Sequence, residues 1–301
     1  MSARPPAKAG WVFKAGAEIA PGIRAVRVLG GGTLYEVYRA WDEARLSNVV
    51  CKLVRPDQVG EGRALRQLRS ESALLARLSH PALVRSLGVS LEGPRPHLIL
   101  EHVGKVTLRR RLRLRGPLPL ERALPLARDL GAALHYLATQ SVVHLDVKPG
   151  NILLGTPPRL IDLSVARTLE RARRLQRPVG TTSYMAPEQC MPGQRGPVGP
   201  AADVWGLGIT LYEALAGRLP FRPAALTDAS APSDRYPQIS MEPRPMTDVV
   251  PPALADLLMR CLRRDPATRP TAAGFVAELA PIAATLPGGL ADDWPGEAPR
   301  A

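Results

Sequence analysis

Cysteine is scarce in this sequence: Cys51, Cys190 and Cys261 stand far apart and without metal-ligand spacing. That excludes a disulfide framework and a cysteine-built metal site, and reduced thiols are expected. Aromatic residues make up only 4% of the chain and do not interleave with its basic residues as a stacking surface for nucleic acid would require. No apolar run approaches the length of a membrane span, and the first residues, MSARPP, lack the apolar core of a secretory signal. A soluble, cytoplasmic protein without membrane partners is therefore expected.

Lysine is rare beside arginine. Positions 8, 14, 52, 105 and 148 hold all of it, although Lys and Arg together number 40. The formal net charge of +13 would by itself raise nucleic acid or an acidic membrane surface as a partner. Arginine scattered along the whole chain reads instead as the surface habit of a GC-rich genome, and no nucleic-acid partner is expected. The same scarcity makes Lys52 and Lys148 informative, because each stands in a segment with chemistry of its own.

What is present centres on residues 142–154, VVHLDVKPGNILL. Asp146, Lys148 and Asn151 lie at intervals of two and three in a loop containing proline and glycine, between a helix-like segment and a short apolar run. Such loops on rigid flanks are where catalytic polar groups lie. A carboxylate can take a hydroxyl proton, an ammonium can hold phosphate charge, and a carboxamide oxygen can bind a divalent ion. Together they are parts for moving a phosphoryl group to an alcohol. Asp162 follows at the end of a second apolar run, which suits a metal ligand on a short hairpin.

Around this loop the periodicity predicts further elements. Residues 23–38 read as strand, Gly30-Gly31-Gly32 turn and strand, and 48–54 as a strand interrupted by Lys52. Residues 63–78 form a helix with Glu71 near its apolar face, where a charge usually has a partner and Lys52 is the candidate. Strands follow at 84–89 and 97–100, and helices at 108–114, 120–139, 201–217, 254–262 and 272–279. Residues 221–252 show little periodicity. The arginines of 108–115 read as a solvated helical face in preference to an acidic-substrate dock. Each feature has a plain reading as well: a glycine turn, an edge lysine, a solvated glutamate.

In this order the motifs resemble those of a eukaryotic-type (Hanks-type) serine/threonine protein kinase of the kind bacteria carry. His144-Leu145-Asp146-Val147-Lys148-Pro149-Gly150-Asn151 is similar to H-R-D-x-K-x-x-N, Asp162-Leu163-Ser164 to D-F-G, and Val49-Val50-Cys51-Lys52 to V-A-I-K. Residues 180–188, GTTSYMAPE, resemble the peptide-platform segment G-T-x-x-Y-M-A-P-E, which kinases of small molecules lack. The resemblance covers residues 20–285. It implies an α+β, bilobal fold, with a small antiparallel sheet plus one helix at about 19–101 and a mainly helical lobe at about 105–285. Residues 1–18 would be a flexible segment whose Trp11 and Phe13 dock on the small lobe, and 286–301 a disordered tail.

The resemblance further implies ATP and Mg²⁺ (or Mn²⁺) as cofactors and protein Ser/Thr hydroxyls as acceptors. Asp146 would be the base, Lys148 would offset charge on the γ-phosphoryl oxygens, Asn151 and Asp162 would hold the metal, and Lys52, held by Glu71, would grip the α/β-phosphates. Leu29, Gly30, Gly31, Gly32, Val37, Val50, Leu100, Glu101, Val103 and Leu153 would surround the nucleotide, with Leu100 as gatekeeper and Glu101 to Gly104 as the hinge. Glu188 would pair with Arg269, and Asp203 would bind backbone N–H groups of the catalytic loop. Several residues depart from the pattern, among them Val50, which replaces the customary alanine and would narrow the adenine pocket slightly. Tyr35 stands where the third loop glycine belongs, so Tyr35→Gly is expected to lower KM for ATP. Leu145 replaces an arginine that meets activation-segment phosphate, and Ser164 replaces the glycine of D-F-G. With Thr168 the only hydroxyl in residues 168–179, beside four arginines, phosphorylation there has little reason to be a switch, and acidic sequence around the acceptor is favoured. With no sensor in view, a regulatory protein partner is expected. A pseudokinase, binding nucleotide or acting as a scaffold without turnover, is the alternative reading.

Overall fold

The computed structural model describes residues 10–104, 106–222, 235–246 and 249–285; the tail expected at 286–301 and residues 1–9 lie outside them. The chain divides into two compact units: residues up to Ser79 with Val84–Gly104, and His80–Leu83 with the remainder. One is built on a sheet and the other on helices, the α+β architecture that the motifs imply.

In the first unit β1 (Glu18–Ala20), β2 (Ile23–Gly31), β3 (Tyr35–Asp42), β4 (Ser47–Val54), β5 (Ser86–Ser90) and β6 (His97–Glu101) form an antiparallel sheet of order β1-β2-β3-β4-β6-β5. Alternation sorts its two faces. Tyr38, Ala40, Val49, Cys51, Leu53 and Ile99 point into one apolar core, onto which Trp11 and Phe13 also pack. The Trp11 indole N–H donates to the Val54 carbonyl at 2.8 Å, and its backbone N–H lies 3.2 Å from a Glu36 carboxylate oxygen. Across the register Val37 faces Lys52 and Val50 faces Leu100, so these four share the opposite face. At the β2–β3 turn a side chain on Gly31 would put its Cβ 2.8 Å from the Tyr35 carbonyl oxygen, so the tight turn demands glycine there. The helix α1 (Gly62–Leu75) stops three residues before the expected Leu78, because the chain must become extended before Pro81.

The second unit comprises α2 (Leu108–Arg115), α3 (Leu120–Thr139), the short strands β7 (Val142–Val143), β8 (Ile152–Leu153), β9 (Arg159–Leu160) and β10 (Arg167–Thr168), then α4 (Leu169–Arg173), α5 (Pro187–Cys190), α6 (Pro200–Ala216), α7 (Pro252–Cys261) and α8 (Ala272–Ala284). The helix α6 is apolar on nearly every side and almost wholly buried, and it packs against α3 and α7. Gly217 closes it in a left-handed conformation, φ 68°. The helix α8 runs five residues past the expected Leu279, through Pro281 to Ala284; Leu279 and Ala283, four apart on one face, are both fully buried. Of the segment 221–252, residues 223–234 and 247–248 are outside the described set. Within it Gln238 is buried and donates to the Thr182 and Met185 carbonyls at 2.8 and 3.0 Å.

Glu188 and Arg269 form the expected pair, both fully buried at the side chain. Arg269 Nη1 and Nη2 donate to the two carboxylate oxygens at 2.6 and 2.8 Å, and its remaining N–H groups reach the carbonyls of Ala201, Arg263 and Arg264. Such bidentate geometry satisfies both ions away from water. Arg269→Ala would leave the Glu188 charge stranded, and an urea unfolding midpoint should report a loss of about 3 to 5 kcal/mol. Burial pushes each of the three thiols up to about 12. At pH 8 the thiolate fraction is then on the order of one in ten thousand, so iodoacetamide should leave the native protein unmodified and alkylate all three cysteines once it is unfolded.

Candidate active site

The loop after β7 is fixed from below by α6. Proline at its first position and the carboxylate of Asp203 in its first turn suit a helix N-terminus. Asp203 is buried and accepts the backbone N–H groups of His144 and Leu145 at 2.7 and 2.8 Å. Burial pushes its carboxyl above the ordinary value, opposed by His144 and by those two bonds. The two N–H donors favour the carboxylate form, which only accepts.

Leu145 adopts φ 68°, a conformation that costs a non-glycine residue about 1 to 2 kcal/mol. Three contacts impose it. Asp203 holds its N–H, the Gln189 side-chain amide donates to its carbonyl at 2.8 Å, and Gly180, at φ 125°, passes so close that a Cβ would lie 2.6 Å from that oxygen. Leu145 itself is buried, so the place of the expected arginine holds an apolar plug. The turn delivers Asp146, whose N–H donates to His144 Nδ1 at 3.3 Å.

Asp146 is surrounded by donors. Lys148 Nζ lies 2.5 Å from Oδ2, Asn151 Nδ2 lies 3.1 Å from the same oxygen, and the Thr181 hydroxyl donates to Oδ1 at 2.7 Å. Lys148 also donates to Thr181 Oγ1 at 2.6 Å. Asn151 Nδ2 donates in addition to the Asp146 carbonyl at 2.9 Å, which leaves its amide oxygen outside these bonds. The hairpin β8–β9 then returns the chain: Ile161 N–H donates to the Asn151 carbonyl at 2.8 Å, one residue before Asp162. Asp162 has φ 66°, and its Oδ1 accepts from Ser164 N–H at 3.4 Å. An amide oxygen and a carboxylate on one hairpin are hard oxygen donors, which fit Mg²⁺ sharing its other positions with water and phosphate.

In the first unit Lys52 and Glu71 are both buried. Nζ donates to the two carboxylate oxygens at 3.0 and 2.8 Å, so the expected pair is present. Gly30 and Gly31 end β2, Gly32 follows, and Leu29 is exposed beside them. Leu100 is buried on β6, Glu101 is its last residue and accepts the Arg85 N–H at 3.0 Å, and Val103 follows at partial exposure. Leu153 belongs to the second unit, on β8.

Several residues do structural work at the site that the sequence did not assign to them. Thr181, known there only as a motif letter, bridges Lys148 and Asp146. Thr168, read as the one phosphorylatable hydroxyl, accepts the Arg171 N–H at 3.4 Å as the N-cap of α4. Its signal was present: a threonine directly before a leucine and a glutamate. Tyr184 donates to Glu213 at 2.5 Å, and burial raises its pKa beyond the usual phenol range. Gln189 ties Ala186 N–H, the Leu145 carbonyl and the Val179 carbonyl together at 3.0, 2.8 and 2.9 Å. No periodic signal marks it.

The family model described as protein kinase domain matches residues 23–279. Among curated relatives, the chain is 30% identical over 271 residues to serine/threonine-protein kinase pkn2 of Myxococcus xanthus, covering 85% of this chain and 31% of that protein. It is 33% identical over 242 residues to PkaA of Streptomyces coelicolor, covering 78% and 43%. With PknA of Mycobacterium tuberculosis it shares 31% over 266 residues, covering 85% and 59%. The chain thus spans between 31% and 59% of the length of these relatives.

Gln189→Leu would leave two carbonyls and one N–H without their partner. It should lower stability by about 2 kcal/mol and speed proteolysis within residues 171–180. Far-UV circular dichroism in urea and limited trypsin digestion measure the two effects.

Proposed function

The chain belongs to the protein kinase domain family, and from that membership we propose that it transfers the γ-phosphoryl group of ATP to Ser and Thr hydroxyls of proteins. The observation that carries this reading is the Asp146 carboxylate, ringed by Lys148, Asn151 and Thr181, with Asp162 returned to the same hairpin.

Asp146 orients the acceptor hydroxyl and takes its proton as the oxygen bonds to the γ-phosphorus and the bond to ADP breaks. Lys148, already on Asp146, offsets charge growing on the transferred oxygens. Lys52, held by Glu71, grips the α/β-phosphates, and the glycines at 30–32 let backbone N–H groups approach them. In the first unit Val37, Val50 and Leu100 are assigned to the adenine, with Leu29 at the loop and Glu101 and Val103 at its edge; in the second, Leu153 is assigned to the adenine as well. Asn151 and Asp162 would hold Mg²⁺ or Mn²⁺, which would neutralise phosphate charge. Positioning and fixed charge then account for most of the rate, because little covalent chemistry falls to the protein.

The relatives' description as serine/threonine-protein kinases supports the acceptor class, as does Lys148 two residues after Asp146. Residues 19–285 are taken as the catalytic domain. No described helix is long and apolar enough to cross a membrane. A cytoplasmic setting fits the ATP requirement and three buried free thiols. Input through a regulatory partner completes the reading. Nothing observed favours the pseudokinase alternative, and the nucleic-acid reading rests on net charge alone.

Incubation with γ-labelled ATP, Mg²⁺ and a mixed acidic and basic protein substrate should label serine and threonine. Asp146→Asn and Lys52→Met should each lower transfer by at least about a thousandfold while circular dichroism stays native. Autophosphorylation surviving in either variant contradicts these roles. Phosphatase treatment should leave transfer within about twofold, since Leu145 has no charge with which to read a phosphate. Collapse of activity after that treatment would show a phosphorylation switch.

A further inference from the structure

Tyr35 stands where a phosphate-binding loop of this family has its third glycine, and its side chain is engaged twice within the first unit. The phenol O–H donates to the Ala64 carbonyl in the first turn of α1 at 2.8 Å, with both residues buried. The Lys52 ammonium lies over the ring, 4.8 Å from its centroid. The register explains the second contact: Val37 faces Lys52 and Tyr35 faces Val54, so Tyr35 is the diagonal neighbour of Lys52 on the same face. Glycine or serine at this position could make neither contact.

Ala64 and Glu71 lie two helical turns apart on one side of α1. The sheet therefore holds the helix at two heights, through Tyr35 to Ala64 and through Lys52 to Glu71. The ring in turn rests against the ammonium that makes the second tie. Resting on the phosphate-gripping role given to Lys52 above, we propose that Tyr35 is a positioning residue. It fixes α1 against β3 and β4 so that Glu71 stays paired with Lys52, and its ring shields that pair from water. The proposed role runs opposite to the expectation from sequence that this tyrosine loosens nucleotide binding.

The test reads Lys52 directly. The 301-residue wild type, Tyr35→Phe, Tyr35→Ser and Glu71→Gln are treated with acetic anhydride without nucleotide, and acetylation of Lys52 is followed by peptide mass spectrometry against exposed Lys14 in the same molecule. Tyr35→Ser should raise the relative rate about fivefold, towards Glu71→Gln, whereas Tyr35→Phe, which keeps the ring and loses only the bond to Ala64, should raise it about twofold. KM for ATP should rise in the same order, with kcat changing less. A Lys52 rate that stays at the wild-type value in Tyr35→Ser while rising in Glu71→Gln overturns the proposal, as does a fall in KM. A raised rate in Tyr35→Ser, in a protein whose wild type transfers no phosphate, supports the coupling and overturns the kinase reading instead.

Discussion

The second unit is organised by one buried carboxylate. Asp203 sits in the first turn of a helix too apolar to be anywhere but inside, and its two oxygens are committed to the N–H groups of consecutive residues, His144 and Leu145. Asp203 fixes the Leu145 N–H and the Gln189 amide fixes the Leu145 carbonyl, and the left-handed conformation of Leu145 is what joins these two orientations. The charge-assisted bonds offset its strain. Without this constraint the loop would relax towards ordinary backbone angles, and Asp146, the next residue, would face elsewhere.

The loop is also held from the other side, and there the partners come from far along the chain. Gln189 reaches back to Leu145 and Val179, Gly180 passes against the same carbonyl, and Thr181 joins Lys148 on Asp146. The stretch that carries them is in turn fixed by Glu188 on Arg269, and by Gln238 on the carbonyls of Thr182 and Met185. Polar groups from residues 146, 181, 189, 203, 238 and 269 are thus each satisfied by another, which is what a buried polar network requires to be rigid. Hydrogen bonds to Asp146 and to the carbonyls of Leu145 and Val179 hold this stretch against the loop, with an apolar leucine at position 145.

Much of this was legible beforehand where a residue's signal is local. The helix at 120–139 has its predicted limits because twenty residues of unbroken periodicity leave little choice. The Lys52–Glu71 pair followed from a lone charge in an apolar strand and another near an apolar helix face. Asp203 and the Glu188–Arg269 pair came from the family resemblance and not from pattern. What stayed illegible depended on partners remote in sequence. Gln189 and Gln238 carry no periodic signal, and their value comes from carbonyls 10 to 56 residues away. The contacts of Tyr35 were illegible for a related reason: a motif comparison registers the glycine it replaces, while its contacts with Ala64 and Lys52 exist only once the strand and the helix are folded together. Pro281, a breaker by rule, lies late in α8, where tertiary burial of Leu279 and Ala283 outweighs one missing hydrogen bond.

The central claim is that Asp203 sets catalytic geometry rather than merely adding stability, and single-turnover transfer from labelled ATP to a serine-containing acceptor by Asp203→Ala tests it most directly. Rates are compared at equal folded fraction. The account predicts transfer slowed by at least about a hundredfold, with nucleotide affinity little changed because Lys52 and Glu71 belong to the other unit. A folded Asp203→Ala protein that transfers phosphate at the wild-type rate would contradict it.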